Sequence, residues 1–248
     1  MSALASKIYP ESEAARLQGL YGHLSGRPLL EALIENGLRG QILLSSSFGA
    51  ESAVLLDLVA EVDPTIPVIF LDTRRLFGET LRYQKQLTEL LGLKDVRIIS
   101  PDAETLRRVD PDDMLFNEDP DKCCHIRKVA PLDNIMTELA NSGFKAWITG
   151  RKQFQSATRS ALPTIEQDGD FIKINPLADW TNDDIRNAFR ARNLPPHPLV
   201  ADGFKSIGCM PCTSRVADGA DPRSGRWAGR AKTECGIHTA RRAGLSAA

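Results

Sequence analysis

The 248-residue chain has no apolar run approaching the roughly 20 residues that a membrane-spanning helix needs. Its first residues, MSALASKIYPESEAARLQ, lack the apolar core of a secretory signal, so a cytoplasmic protein is expected. Net charge is also missing: Lys+Arg is 31 and Asp+Glu is 32, giving −1, and no global polycation for nucleic acid exists. Neither a helix–turn–helix pattern nor interleaved aromatic and basic residues is present, no segment repeats, and none is of low complexity. A cytoplasmic chain with five cysteines has no disulfide scaffold, because that compartment keeps thiols reduced; metal binding or catalysis is the better use for them.

What remains is an ordinary globular composition, 42% hydrophobic and 25% charged. Short apolar runs at 41–46, 67–71, 96–100 and 145–149 read as strands buried on both faces. Between them, Val54, Leu55, Leu58 and Val59 mark a helix over 51–62, and Leu81, Leu87, Leu90 and Leu91 mark one over 80–91. Ile126, Val129, Leu132, Ile135 and Leu139 mark a third over 123–139, which Pro131 should kink or divide. The alternation predicts an α/β fold: a mostly parallel sheet with helices on both faces and ligands beyond the carboxyl ends of the strands. Asp168-Gly169 turns a small hairpin, and Thr181 caps a helix running to about Asn193. The charge is uneven, with eight basic against three acidic residues from Lys205 onward. We therefore divide the chain into a nucleotide-binding domain, 1–204, and a mobile C-terminal tail, 205–248, that meets an anion or is simply a solvated basic segment.

Three polar loops fall on the predicted ligand edge. The stretch Ser45-Ser46-Ser47-Phe48-Gly49-Ala50-Glu51-Ser52 leaves a strand and enters a helix, so its amides and the helix terminus suit an anion, although a plain serine-capped turn reads the same way. It lacks the Gly-Lys-Ser/Thr ending of the Walker pattern. Leu71-Asp72-Thr73, followed by Arg74 and Arg75, suits a base, ribose or phosphate, and Gly150, Lys152 and Arg159 follow a later strand in the same way. Three such loops on one edge argue for a site more strongly than any one does.

The cysteines are the sharpest signal. Cys123-Cys124 begins a helical pattern and Cys209-Met-Pro-Cys212 is a CxxC far downstream, so four thiolates can close on one metal centre. Zinc and iron–sulfur both remain open; adjacent cysteines suit a structural zinc poorly, which favours a cubane cluster. Lys128, one turn after Cys124, can tune such a centre or reach a substrate anion. Cys235, near Lys232 and His238, is left free to act as a nucleophile, with His238 to orient or protonate the chemistry. His23, His125 and His197 form no metal-ligand spacing.

Over residues 45–238 the chain resembles the assimilatory adenylylsulfate (APS) and phosphoadenylylsulfate (PAPS) reductase family, most specifically in the Cys-Cys plus CxxC set and the Glu-Cys-Gly-Ile-His ending. The resemblance implies a Rossmann-like fold of the adenine nucleotide alpha-hydrolase kind. It also implies a [4Fe–4S] cluster on Cys123, Cys124, Cys209 and Cys212, with Cys235 as nucleophile. It makes Ser45 to Ser52 a modified pyrophosphate loop, Leu71 to Thr73 an adenosine loop, and Lys128, Arg223 and Arg226 the basic surround of the sulfate and phosphate. The activity implied is reduction of APS to sulfite and AMP in sulfate assimilation through a cysteine S-sulfonate, with thioredoxin or glutaredoxin as dithiol donor and a homo-oligomer as a possible state. Two departures stand out: Arg74 where the family usually has Gly, and Lys152-Gln153 where an Arg pair is more usual. The alternatives are the same reaction on PAPS, with Arg74 taking a 3′-phosphate; an ATP pyrophosphatase, disfavoured by the missing Gly-Gly and Lys; and an iron–sulfur sensor.

Overall fold

Residues 42–44, 68–70, 146–148 and 171–174 are apolar almost without a break, and they form the interior of one six-stranded sheet. A computed structural model describes residues 12–155 and 159–238. The strands are β1 (Ile42–Ser46), β2 (Val68–Leu71), β3 (Val96–Ile99), β4 (Ala146–Ile148), β5 (Ile165–Asp168) and β6 (Phe171–Ile174). They lie in the order β3-β2-β1-β4-β6-β5, all parallel except the β5–β6 hairpin. Gly169, with φ +61°, turns that hairpin, as the Asp-Gly pair predicts.

Alternation along the strands divides the apolar side chains between two cores. Leu43, Ile69, Trp147 and Phe171 face one, and Ile42, Leu44, Val68, Phe70, Ile148 and Ile174 face the other. The larger core is covered by α1 (Glu13–Tyr21), α2 (Gly26–Leu33), α3 (Ser52–Val62), α4 (Gly78–Leu90) and α9 (Asn182–Ala191). The smaller is covered by Leu132, Met136 and Leu139 of α8 (Ala130–Asn141). Two short helices, α5 (Ala103–Val109) and α6 (Leu115–Glu118), precede α7 (Pro120–Cys124).

Two expectations change. β3 is an edge strand with Ile98 55% exposed, so it is not buried on both faces. The helix expected over 123–139 runs from Pro120 to Asn141 but contains a π-helical stretch, His125–Val129, between α7 and α8. Pro131 sits in the first turn of α8, just past those wider turns, where a missing N–H is tolerated. The Thr181 cap is as read, completed into a capping box by Asp184.

The segment from Lys205 to His238 has no helix longer than the 3₁₀ turn Met210–Cys212, and it lies against the body. Cys209 bridges antiparallel to Leu76, Met210 N–H donates to the Arg75 carbonyl at 2.7 Å, and Thr213 bridges to Arg226. Arg230 donates to the Phe116 carbonyl, Lys232 pairs with Asp121, and Ile237 packs on the smaller core. Arg241 and Arg242 lie outside the described residues. No helix among the described residues is long and apolar enough to cross a membrane.

Candidate active site

The strand order places a switch point between β1 and β4: chain connections leave β1 toward β2 on one side and reach β4 on the other, which opens a crevice above their carboxyl ends. A cavity of about 260 Å³ fills it. The turn after β1 forms its floor, with Ser45, Ser46, Ser47, Gly49, Glu51 and Ser52 on the wall. Within this turn Phe48 N–H donates to Ser46 Oγ at 3.2 Å and Gly49 N–H to Ser52 Oγ at 2.8 Å. Phe48 itself is off the wall, fully buried with its ring edge-on to Phe70 at 5.1 Å. Its φ of +47° is a conformation that costs a non-glycine residue about 1–3 kcal/mol, and the buried ring is what holds it there. A Cβ on Gly49 would stand 3.3 Å from the Ile207 carbonyl, so glycine lets the tail approach the loop.

Leu71 and Thr73 reach the cavity from the end of β2, whereas Asp72 is turned to its own loop, accepting from Arg74 N–H at 2.9 Å. Arg74 has φ +59°, so the loop keeps the left-handed turn that glycine would adopt freely. The Arg74 side chain is exposed and absent from the cavity wall. From β4 come Gly150, Arg151 and Lys152. Arg151 bonds Asn175 Oδ1 at 3.2 Å and pairs with Glu166, and Lys152 Nζ is 2.9 Å from Glu51 Oε2. Ser156, at the end of this loop, lies outside the described residues.

The tail closes the opposite wall with Arg223, Arg226, Trp227, Glu234, Cys235 and His238. Arg226 lies over the Trp227 ring at 4.6 Å, and the His238 ring stacks on Trp147 at 5.8 Å. Arg159 and Arg223 both bind Glu234, at 2.7 and 3.1 Å. Burial lowers the pKa of Arg226 and of Arg159 from the usual guanidinium range, partly offset at Arg159 by Glu234. Burial also works against the Lys128 ammonium, but the negative charge that Cys209, Cys235 and Cys124 carry as thiolates outweighs it and raises its pKa.

The four remaining cysteines line a second, small cavity against the first, with Arg75, Phe116, Arg127 and Lys128. Thr73 Oγ1 lies 3.2 Å from Cys209 Sγ, joining the two cavities. Burial pushes the Cys123 thiol up to about 11 and raises Cys124 and Cys212; at Cys209 burial is outweighed by Lys128, Thr73 and Arg226, and the thiol falls. Arg127 donates to the Thr73 carbonyl at 3.1 Å and to buried Asp110 at 2.5 Å, while its Nε has no partner among the described residues. No group of three or more His, Cys, Asp or Glu side chains among the described residues meets the geometry to hold a metal ion. The cysteines ring a space rather than a point.

Most of the residues read from sequence thus converge on two adjoining cavities, with Phe48 and Asp72 directed elsewhere. Trp227 was not read from sequence; Arg151 and Gln155 were read only as members of the polar loop from Thr149 to Ser156, and Glu234 only as the first residue of the Glu-Cys-Gly-Ile-His ending, with no role of their own.

A mostly parallel sheet with a basic cavity at its switch point and thiols on the wall makes an α/β protein with a candidate anion site and a candidate nucleophile in one crevice. Residues 41–215 match the model for the phosphoadenosine phosphosulfate reductase domain, and the chain belongs to that family, the APS and PAPS reductases. It is 49% identical over 227 residues to the adenosine 5′-phosphosulfate reductase of Mesorhizobium japonicum, covering 92% of this chain and 87% of that one. It is 48% identical to the enzyme of the same name from a Chelativorans species, covering 96% of both. Among solved structures, the phosphoadenylyl-sulfate reductase of Candida auris, as a phosphate complex, superposes with a TM-score of 0.69 at 25% identity, over 84% of this chain and 99% of that one. The FMN adenylyltransferase of Candida glabrata shares the fold, with a TM-score of 0.56 at 19% identity, over 88% and 74%.

Proposed function

We propose that this chain reduces adenosine 5′-phosphosulfate to sulfite and AMP, with Cys235 as nucleophile. The observation that carries the reading is that Cys235 and the serine-rich turn after β1 line one cavity, together with Lys128, Lys152, Arg223 and Arg226. The cationic side chains and loop amides hold the phosphosulfate. The Cys235 thiolate attacks the sulfate sulfur, the bond from sulfur to the AMP phosphate oxygen breaks, and AMP leaves with the electron pair. Cys235 then carries an S-sulfonate. A thiolate of a dithiol protein, thioredoxin or glutaredoxin, attacks Cys235 Sγ and sulfite departs; the second thiol resolves the mixed disulfide, freeing Cys235. The dithiol supplies both electrons. For that attack the Cys235 segment must leave the cavity.

Cys123, Cys124, Cys209 and Cys212 would hold a [4Fe–4S] cluster. The donor set suits it: four thiols around one space, flanked by Arg75, Arg127 and Lys128, with the buried Arg127 Nε–H unsatisfied beside them. When bound, the cluster supplies fixed charge and order next to the substrate. Lys128, on the wall of both cavities, holds its proton between the thiols and the substrate anion.

The likeness to the Candida auris enzyme supports PAPS as the second reading, but Arg74, the residue suggested to take a 3′-phosphate, is not on the cavity wall. Intact-mass analysis of anaerobically purified protein, mixed separately with APS and PAPS without thiol donor, tests both. One sulfonate on Cys235 from APS, absent in Cys235→Ser, is expected. An adduct from PAPS alone selects the second reading, and no adduct from either rejects both.

A further inference from the structure

The cavity that we read as the phosphosulfate site contains its own anion. Glu234, the residue before Cys235, accepts from Arg159 Nε and Nη2 at 3.1 and 2.7 Å through Oε1, and from Arg223 Nη2 at 3.1 Å through Oε2. The third nitrogen of Arg159, Nη1, donates to Gln155 Oε1 at 2.5 Å. All three nitrogens of the Arg159 guanidinium are therefore occupied within the chain. Arg223 Nη2 additionally donates to the Thr233 carbonyl at 2.7 Å, so both arginines grip Glu234 and Arg223 also holds the residue before it. Gln155 extends the network, donating to Glu51 at 3.3 Å; Glu51 pairs with Lys152 across the β1 turn. A continuous run of charged hydrogen bonds thus connects the phosphate-facing turn to the neighbour of the nucleophile.

Arginine forks bind carboxylate and phosphate by the same geometry, so a phosphate or sulfate reaching Arg159 competes with the carboxylate for the N–H groups that Glu234 holds. We propose that Glu234 is a resident anion. It holds Arg159 and Arg223 while the nucleotide is absent, and the substrate anion takes its place. Because Glu234 is bonded to Cys235, this exchange moves the nucleophile's own backbone as substrate arrives, and the position of Cys235 depends on what occupies the arginine fork. The carboxylate also keeps two cations, 11% and 20% exposed, from standing uncompensated in the empty cavity.

The proposal rests on the reading of this cavity as a nucleotide site, and AMP binding by calorimetry separates the two. Glu234→Gln keeps the shape and removes the competing charge, and it should bind AMP about fivefold more tightly than the wild type, at the lower end of the coupling usual between linked sites. Glu234→Asp, with its carboxylate drawn back by one methylene, should fall between, and it tests the same point if the Gln variant fails to fold. In an Arg159→Gln background the gain from Glu234→Gln should vanish. An affinity for AMP that is unchanged or weaker in both Glu234 variants, with the wild type binding AMP, would overturn the resident-anion proposal and leave the cavity reading intact. No AMP binding by the wild type would remove both.

Discussion

Arg74 carries, without a glycine, a turn that favours one. Its φ of +59° sits in the left-handed region, where a straight-chain residue is strained and a β-branched one is strained further. Arg74→Gly should therefore match or slightly exceed the wild type in urea unfolding, whereas Arg74→Val should lose about 1–2 kcal/mol. An unchanged midpoint for the valine variant would mean that the loop relaxes out of this conformation. The same position shows what single residues disclose in a sequence. Cysteines are rare and chemically committed, so Cys123, Cys124, Cys209, Cys212 and Cys235 stood out by type and spacing alone. Arg74 showed up as a departure and as a candidate for a phosphate, without its geometry. Glu234, Gln155 and Arg151 have common side chains whose partners lie in segments distant along the chain, and no local pattern marks such a pair.

At the scale of elements, the cysteine centre joins two that are far apart in sequence: the end of α7 and the 3₁₀ turn Met210–Cys212. Cys209 is the junction, bridged to Leu76 in backbone and set against Thr73 in side chain. Cys209→Ser should purify without a full iron complement and without the broad visible absorbance of a cluster. A full iron content by colorimetric assay would exclude Cys209 as a ligand. The β-strands were readable because burial on both faces demands unbroken apolar runs. What escaped is the sheet's order, since pairing is decided between segments: β3 has a central strand's run yet lies at the edge. The π-helical stretch at His125–Val129 escaped too, because one extra residue in a turn leaves the apolar spacing almost unaltered.

For the molecule as a whole, acid sensitivity has an identifiable source away from the cavity wall. His197 is buried between Tyr83 and Thr80, and Leu199 N–H donates to its Nδ1 at 3.2 Å, which requires that nitrogen unprotonated. Burial, only partly opposed by Glu79, lowers its pKa to about 4. The unfolded chain takes up this proton at the ordinary value near 6.5, before the folded one does. Stability from this residue is thus complete above about pH 6.5 and falls as the pH drops toward 4, by at most about 3 kcal/mol. Urea midpoints measured between pH 7.5 and 4.5 should fall less steeply in His197→Gln than in the wild type; equal slopes would assign the acid sensitivity elsewhere. Finally, the order of the chain sets the order in which the enzyme comes into being. All six strands of the sheet precede Asn175, while the CxxC at Cys209 to Cys212 and the thiol of Cys235 follow it. During synthesis the scaffold of the crevice can therefore form before its reactive groups leave the ribosome. On the function proposed above, the attacking thiol is the last of these groups to be made, so reactivity is the last property the chain acquires.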